Sequence, residues 1–177
     1  ASTVLAAPDP DGTAAAVDPV AQLSDFALVI YMAGSSGQPN GILLDHSNLA
    51  MMSATMADAL ALDSADTSLL LLPLFHINGL VLSVLAPLRA GADVVIAPRF
   101  APESFWDLVA RHRPTYFSAV PTIYALLEAR TTGEVDASSL RFGVCGAAPM
   151  PAEALTRFEE RFGFPLVEGY GLTECTL

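Results

Sequence analysis

The sequence predicts an α/β fold: a doubly wound, mainly parallel sheet with helices on both faces. Three observations predict it. Apolar runs of strand length recur between Phe26 and Glu168. Each is followed by a segment whose apolar residues recur at helical spacing. The runs are apolar at successive positions rather than alternate ones, as strands covered on both faces must be.

Taken in order, Phe26–Tyr31 (FALVIY) is the first strand. A helix follows to about Leu62, with Ser47 or Asn48 as its N-cap. Ser68–Leu72 is the next strand and Gly79–Arg89 the next helix. Asp93–Ala97 (DVVIA) is a strand, and Pro102–Arg113 a helix with proline in its first turn. Thr115–Val120 and Thr122–Arg130 form another strand and helix. Arg141–Cys145, Pro151–Phe162 and Pro165–Glu168 complete the series as strand, helix and strand. Residues 1–24 are rich in Ala, Asp and Pro and read as a loose lead-in.

Composition narrows the function classes. The chain has 177 residues and a net charge of −11, and all eight of its basic residues are arginine. An acidic chain without lysine is a poor partner for nucleic acid, which needs cations to displace counterions. Two cysteines exclude a disulfide scaffold and a cysteine-rich metal site. Cys145 is a poor nucleophile, because small apolar surroundings raise a thiol pKa. Ser68–Leu88 carries no charge and is long enough to span a bilayer. Pro73, His76, Asn78 and Gly79 interrupt it, so a buried strand, a loop and a buried helix are expected there, and no membrane span. No targeting segment is visible, which makes a cytoplasmic location the default expectation.

In such sheets ligands sit at the carboxyl ends of the strands. The loop after the first strand, Ala33–Gly41, holds three glycines and two serines. Such a loop is either a flexible turn or a cradle of N–H and hydroxyl donors for phosphate. It is not a Walker A loop. The loop after the second strand carries His76, either a hydrogen-bonded core residue or a functional one. Gly146, Ala147 and Ala148 follow the strand ending at Cys145; residues this small admit a flat ligand or a tight turn into the next helix. The last segment, Glu168–Glu174, offers an aromatic face, a hydroxyl and a carboxylate within five residues.

These segments together resemble the adenylate-forming superfamily, in its acyl- or aryl-CoA synthetase branch. YMAGSSGQPNG (Tyr31–Gly41) is similar to the family's phosphate loop, Y-[TS]-S-G-[TS]-[TS]-G-x-P-K-G. LPLFHINGL (Leu72–Leu80) resembles its acyl-site histidine motif. GILLDHSNL, VPTIYALLE, LRFGVCGAAPM and FPLVEGYGLTE follow in family order. The resemblance runs from about Phe26 to Thr176.

The resemblance implies ATP-dependent conversion of a carboxylic acid to an acyl-adenylate, then transfer to coenzyme A. By this resemblance Gly34, Ser35, Ser36, Gly37 and Asn40 belong to the phosphate loop. Tyr170 stacks on adenine, with Gly146, Ala147 and Ala148 on the other side and Gly171 beside it. Thr173 touches the α-phosphate, Glu174 holds Mg²⁺, and His76 gates or orients the carboxylate. Leu80, Val81, Val84 and the Gly146–Pro149 loop are consistent with a partly apolar acyl wall, and core packing explains those helix residues as well.

The phosphate loop departs from the family at three positions. Met32 and Ala33 replace hydroxyl residues and Asn40 replaces a lysine, which predicts weaker ATP binding. Residues 25–177 then read as part of an adenylation domain, without the family's C-terminal lysine-bearing subdomain. Such a piece is expected to be inactive alone and to leave apolar faces uncovered. Three other readings stay open: a non-catalytic nucleotide-binding homologue, an adenylation domain of a peptide synthetase, and a structural or interaction module.

Overall fold

The structure, a computed structural model, describes residues 3–5, 22, 24–32 and 38–177. Its main sheet has six strands in the order β1-β5-β4-β6-β7-β8. These are β1 (Thr3–Leu5), β4 (Thr67–Leu70), β5 (Asp93–Ile96), β6 (Tyr116–Ala119), β7 (Phe142–Cys145) and β8 (Leu166–Glu168). β5, β4, β6, β7 and β8 are parallel. β1 pairs antiparallel with β5, so part of the expected loose lead-in is an edge strand.

The Phe26–Tyr31 strand forms, as β2 (Phe26–Met32), but it stands outside this sheet. It pairs antiparallel with β3 (Asn40–Asp45), a strand the sequence pattern did not reveal. Ile30 and Leu44 turn inward and are buried, whereas Tyr31 is 73% and Leu43 55% exposed. The pair therefore buries one apolar face and leaves apolar residues on the other.

Alternation along the central strands assigns the two faces. On β6, Phe117 and Ala119 pack into one core with Phe105, Val109, Tyr124, Leu127 and Phe158. Those residues come from α4 (Pro102–His112), α5 (Pro121–Arg130) and α6 (Ala152–Phe162). Tyr116 points the other way and packs with Phe142, Val144 and Leu82. That face is covered by α1 (His46–Ala59) and by the helical run from Ile77 to Arg89. Helices on both faces agree with the expected fold class. Phe117 centres the first core, with its ring 5.1 Å from Phe105 and 5.4 Å from Tyr124. Such pairs add about 0.5–1.5 kcal/mol each beyond burial.

The cap of α1 differs from expectation. Asp45, rather than Ser47 or Asn48, is its N-cap. The Asp45 carboxylate accepts from the Asn48 backbone N–H at 2.7 Å, and the Asn48 side-chain Oδ1 accepts from the Asp45 backbone N–H at 3.0 Å. This reciprocal box satisfies two otherwise orphaned donors.

The Ile77–Arg89 run comprises α2 (Ile77–Leu80), a π-helical stretch (Val81–Leu85) and α3 (Ala86–Arg89). Pro87 explains the widened turn. Proline has no N–H and its ring clashes with the carbonyl four residues back, here that of Ser83. The Ala86 N–H bonds Val81 in the five-residue register, and the Leu82 carbonyl is left for another donor.

At the amino edge of the sheet, Asp66 is 2% exposed. Its oxygens accept from Arg141 at 2.6 and 2.7 Å, and one also accepts from the Thr115 hydroxyl at 2.6 Å. The Thr115 hydroxyl in turn accepts from the Thr67 N–H at 3.0 Å. One carboxylate thus ties together the starts of β4, β6 and β7. No described helix is long and apolar enough to cross a membrane.

Candidate functional site

The strand order changes direction beside β4. The chain passes from β4 to β5 on one side, then returns to place β6 on the other. Such a switch point opens a crevice at the carboxyl edge, because the two following loops diverge. A cavity of about 660 Å³ occupies this place. Leu72, Phe75 and His76 line it from the loop after β4, and Val120 from the end of β6. Gly146 and Ala147 follow β7, and Gly169 to Glu174 follow β8. Ile30, Tyr31 and Met32 of β2 close one side.

Of the site residues read from sequence, His76, Gly146, Ala147, Tyr170, Gly171, Thr173 and Glu174 meet in this cavity. Asn40 and Ala148 do not line it; Asn40 is exposed at the start of β3, paired with Met32. Gly34, Ser35, Ser36 and Gly37 lie outside the described residues. Ile77 and Leu82, rather than Leu80, Val81 or Val84, provide the apolar wall from the helical run. Val81 is fully buried against Ile30, Leu44 and Ile77, so its hydrophobicity belongs to the core.

His76 caps α2, and its N–H donates to Pro73 at 3.0 Å. Its ring lies 4.6 Å from that of Phe75. Gly79 holds this loop close. A Cβ there would lie 2.9 Å from the Pro73 carbonyl oxygen and 3.2 Å from that of Leu72. Gly146 leaves room for Asn78 and Gly169, since its Cβ would lie 3.2 Å from the Asn78 Nδ2. Ala147 has φ = 66°, a left-handed conformation that an alanine adopts only under constraint. Tyr170 is 92% exposed, which leaves a ring face open to a flat ligand.

Thr173 is buried, and its hydroxyl donates to the Met32 Sδ at 3.3 Å. Met32 therefore does more than remove a hydroxyl from the phosphate loop: its thioether engages the threonine expected at the α-phosphate. Glu174 begins no cluster. Among the described residues no three His, Cys, Asp or Glu side chains gather to hold a metal. A single carboxylate fits Mg²⁺ that takes its other ligands from phosphate and water. Cys145 is buried 3.7 Å from the Met150 sulfur, and burial first, then Glu168, pushes its thiol up to about 11. It is inert at neutral pH.

Sequence reasoning missed Asn78, Val120 and Leu72. Asn78 had a signal, since the Ser118 hydroxyl in the apolar run TYFSAV needed a partner.

The chain matches the profile of a family described as AMP-binding enzyme over residues 2–177. It is 40% identical over 148 residues to sulfoacetate–CoA ligase of Cupriavidus necator, covering 84% of this chain and 29% of that protein. It is 34% identical over 178 residues to oxalate–CoA ligase of Arabidopsis thaliana, covering 98% and 35%. Its fold is similar to that of ATP-bound MatB from Rhodopseudomonas palustris, with a TM-score of 0.77 at 30% identity, covering 87% and 30%. The chain thus spans about a third of the length of the curated relatives it matches.

Proposed function

The chain belongs to the AMP-binding enzyme family, and on that premise we propose that its protein is an ATP-dependent acid–CoA ligase. The carrying observation is one cavity at the switch point that gathers His76, Gly146, Ala147 and the Tyr170–Glu174 segment from the loops after β4, β7 and β8. A carboxylate oxygen attacks the α-phosphorus of ATP, forming the acyl-adenylate and releasing pyrophosphate. The sulfur of coenzyme A then attacks the acyl carbon and AMP leaves.

In this reading Tyr170 offers its open face to the adenine, and Gly146 and Ala147 admit the base on the other side. His76 orients the carboxylate at the acyl boundary. Mg²⁺, when bound, neutralises phosphate charge, and Glu174 holds it. Holding the two reactants in line removes part of the entropic barrier.

No Arg or Lys lines the cavity among the described residues, and the chain has no lysine at all. We therefore expect the 177-residue chain alone to adenylate poorly, because the phosphates and reacting carboxylate need a cation from elsewhere. Incubating the full-length enzyme with ATP, coenzyme A and a panel of carboxylic acids tests the reading. Acyl-CoA thioester and AMP are expected in equal amounts. Loading of a carrier protein but not coenzyme A would point to a peptide synthetase instead.

The Thr173–Met32 bond favours a second reading, a homologue that binds nucleotide without turnover. ATP binding with no acid-dependent pyrophosphate release would select it.

A further inference from the structure

Ser118 lies on β6, next to β4 at the switch point, and is fully buried. Its hydroxyl donates to the Asn78 Oδ1 at 2.7 Å. That bond turns the carboxamide's oxygen toward Ser118 and its amide nitrogen the other way. The Nδ2 end then lies over Gly146, where a Cβ would come within 3.2 Å of it. Asn78 and Gly146 both line the cavity, whose nearby wall includes Leu72, Leu82, Val120 and Val144.

Resting on the reading above, we propose that Asn78 determines acid specificity: Nδ2 is a fixed donor for a second, uncharged acceptor oxygen on the acyl group. A hydrocarbon chain would strip this donor of water and return nothing, whereas an acceptor oxygen replaces the lost bond. The donor is neutral and no described Arg or Lys lines the cavity. A second carboxylate or sulfonate would need a counter-charge that the described residues of this wall do not supply. The substrate class is a carboxylic acid with a carbonyl, ether or ring oxygen near its carboxylate.

The test uses the full-length enzyme and the ratio of kcat/KM for two acids of equal length, one alkanoic and one bearing an ether or oxo oxygen. A dicarboxylic acid completes the panel. Asn78→Asp keeps the oxygen that accepts from Ser118 and replaces the donor with an acceptor. Wild type is expected to favour the oxygen-bearing acid by at least about tenfold. Asn78→Asp is expected to erase that preference with the melting temperature preserved, and Ser118→Ala to reduce it by freeing the amide to turn. Where Asn78→Asp abolishes turnover, the same ratio is read by calorimetric binding of hydrolysis-stable adenylate analogues of the two acids. A wild-type ratio near one, a ratio unchanged in Asn78→Asp, or preference for the dicarboxylic acid would overturn the proposal. ATP consumption with no acid at all would overturn the ligase reading itself, whereas activation without discrimination overturns this proposal alone.

Discussion

The hydroxyl of Tyr116 donates to the carbonyl oxygen of Leu82 at 2.8 Å, joining the centre of the sheet to the wall of the cavity. The bond compensates for Pro87, which lies five residues after Leu82 and has no N–H to give in the π-helical register. Both partners are buried, and burial pushes the Tyr116 hydroxyl pKa well above its usual 10.0. Tyr116→Phe leaves the Leu82 carbonyl unpaired in the core. The expected loss is about 1–3 kcal/mol, read as a lower urea midpoint with an unchanged slope. An unchanged midpoint would show that another donor reaches Leu82.

The Asp66 carboxylate gives a pH signature. Burial acts most strongly and raises its pKa, but the hydrogen bonds from Arg141 and Thr115 together outweigh it, so the pKa lies below 3.8. A carboxyl with a depressed folded pKa stabilises the fold fully above its unfolded value, about 3.9, and that contribution disappears as pH falls through the folded value. Asp66→Asn should therefore lower the melting temperature at pH 7 and converge with wild type as pH falls below about 4. Arg141 is 46% exposed and rehydrates, so the loss at pH 7 is about 1.5–3 kcal/mol rather than that of a sealed pair. Parallel melting curves across that window would contradict this.

Gly79 links the fold to the chemistry. Gly79→Ala drives a methyl group into the carbonyls of Pro73 and Leu72, and the Pro73 carbonyl also holds the His76 N–H. The loop must shift, and His76 moves with it. A displacement near 1 Å costs about a hundredfold in kcat/KM. Steady-state kinetics of the full-length variant checks this, and an activity within twofold of wild type would rule it out.

Ala147 stores strain at the cavity wall. At φ = 66°, glycine is easier to accommodate than alanine. Ala147→Gly should raise stability by about 0.5–1 kcal/mol, measured by denaturant unfolding. A loss of stability would mean that the methyl group's packing outweighs its strain.

Much of the parallel sheet was legible, because buried strands and amphipathic helices have different apolar periods. The β2–β3 pair was not. Residues 26–31 are apolar throughout, and that pattern is the same for a strand covered on both faces and one like this, with Tyr31 left exposed. Asp45 was passed over as a cap because Ser47 and Asn48 offered equally good side chains one turn away. The cavity's loops were legible from their motifs, whereas Asn78 depended on Ser118, 40 residues distant. Pairings at that separation have no local signature. The widened turn at Pro87 follows from proline chemistry but needed the helix to be seen continuing through it.

The central claim is that the cavity at the switch point is where adenylation occurs. Acid-dependent exchange of pyrophosphate into ATP by the full-length enzyme, compared with its Glu174→Gln variant, tests it most directly. The account predicts exchange that requires a carboxylic acid and falls by about a hundredfold or more in Glu174→Gln. Exchange that proceeds undiminished in Glu174→Gln would place the reaction elsewhere.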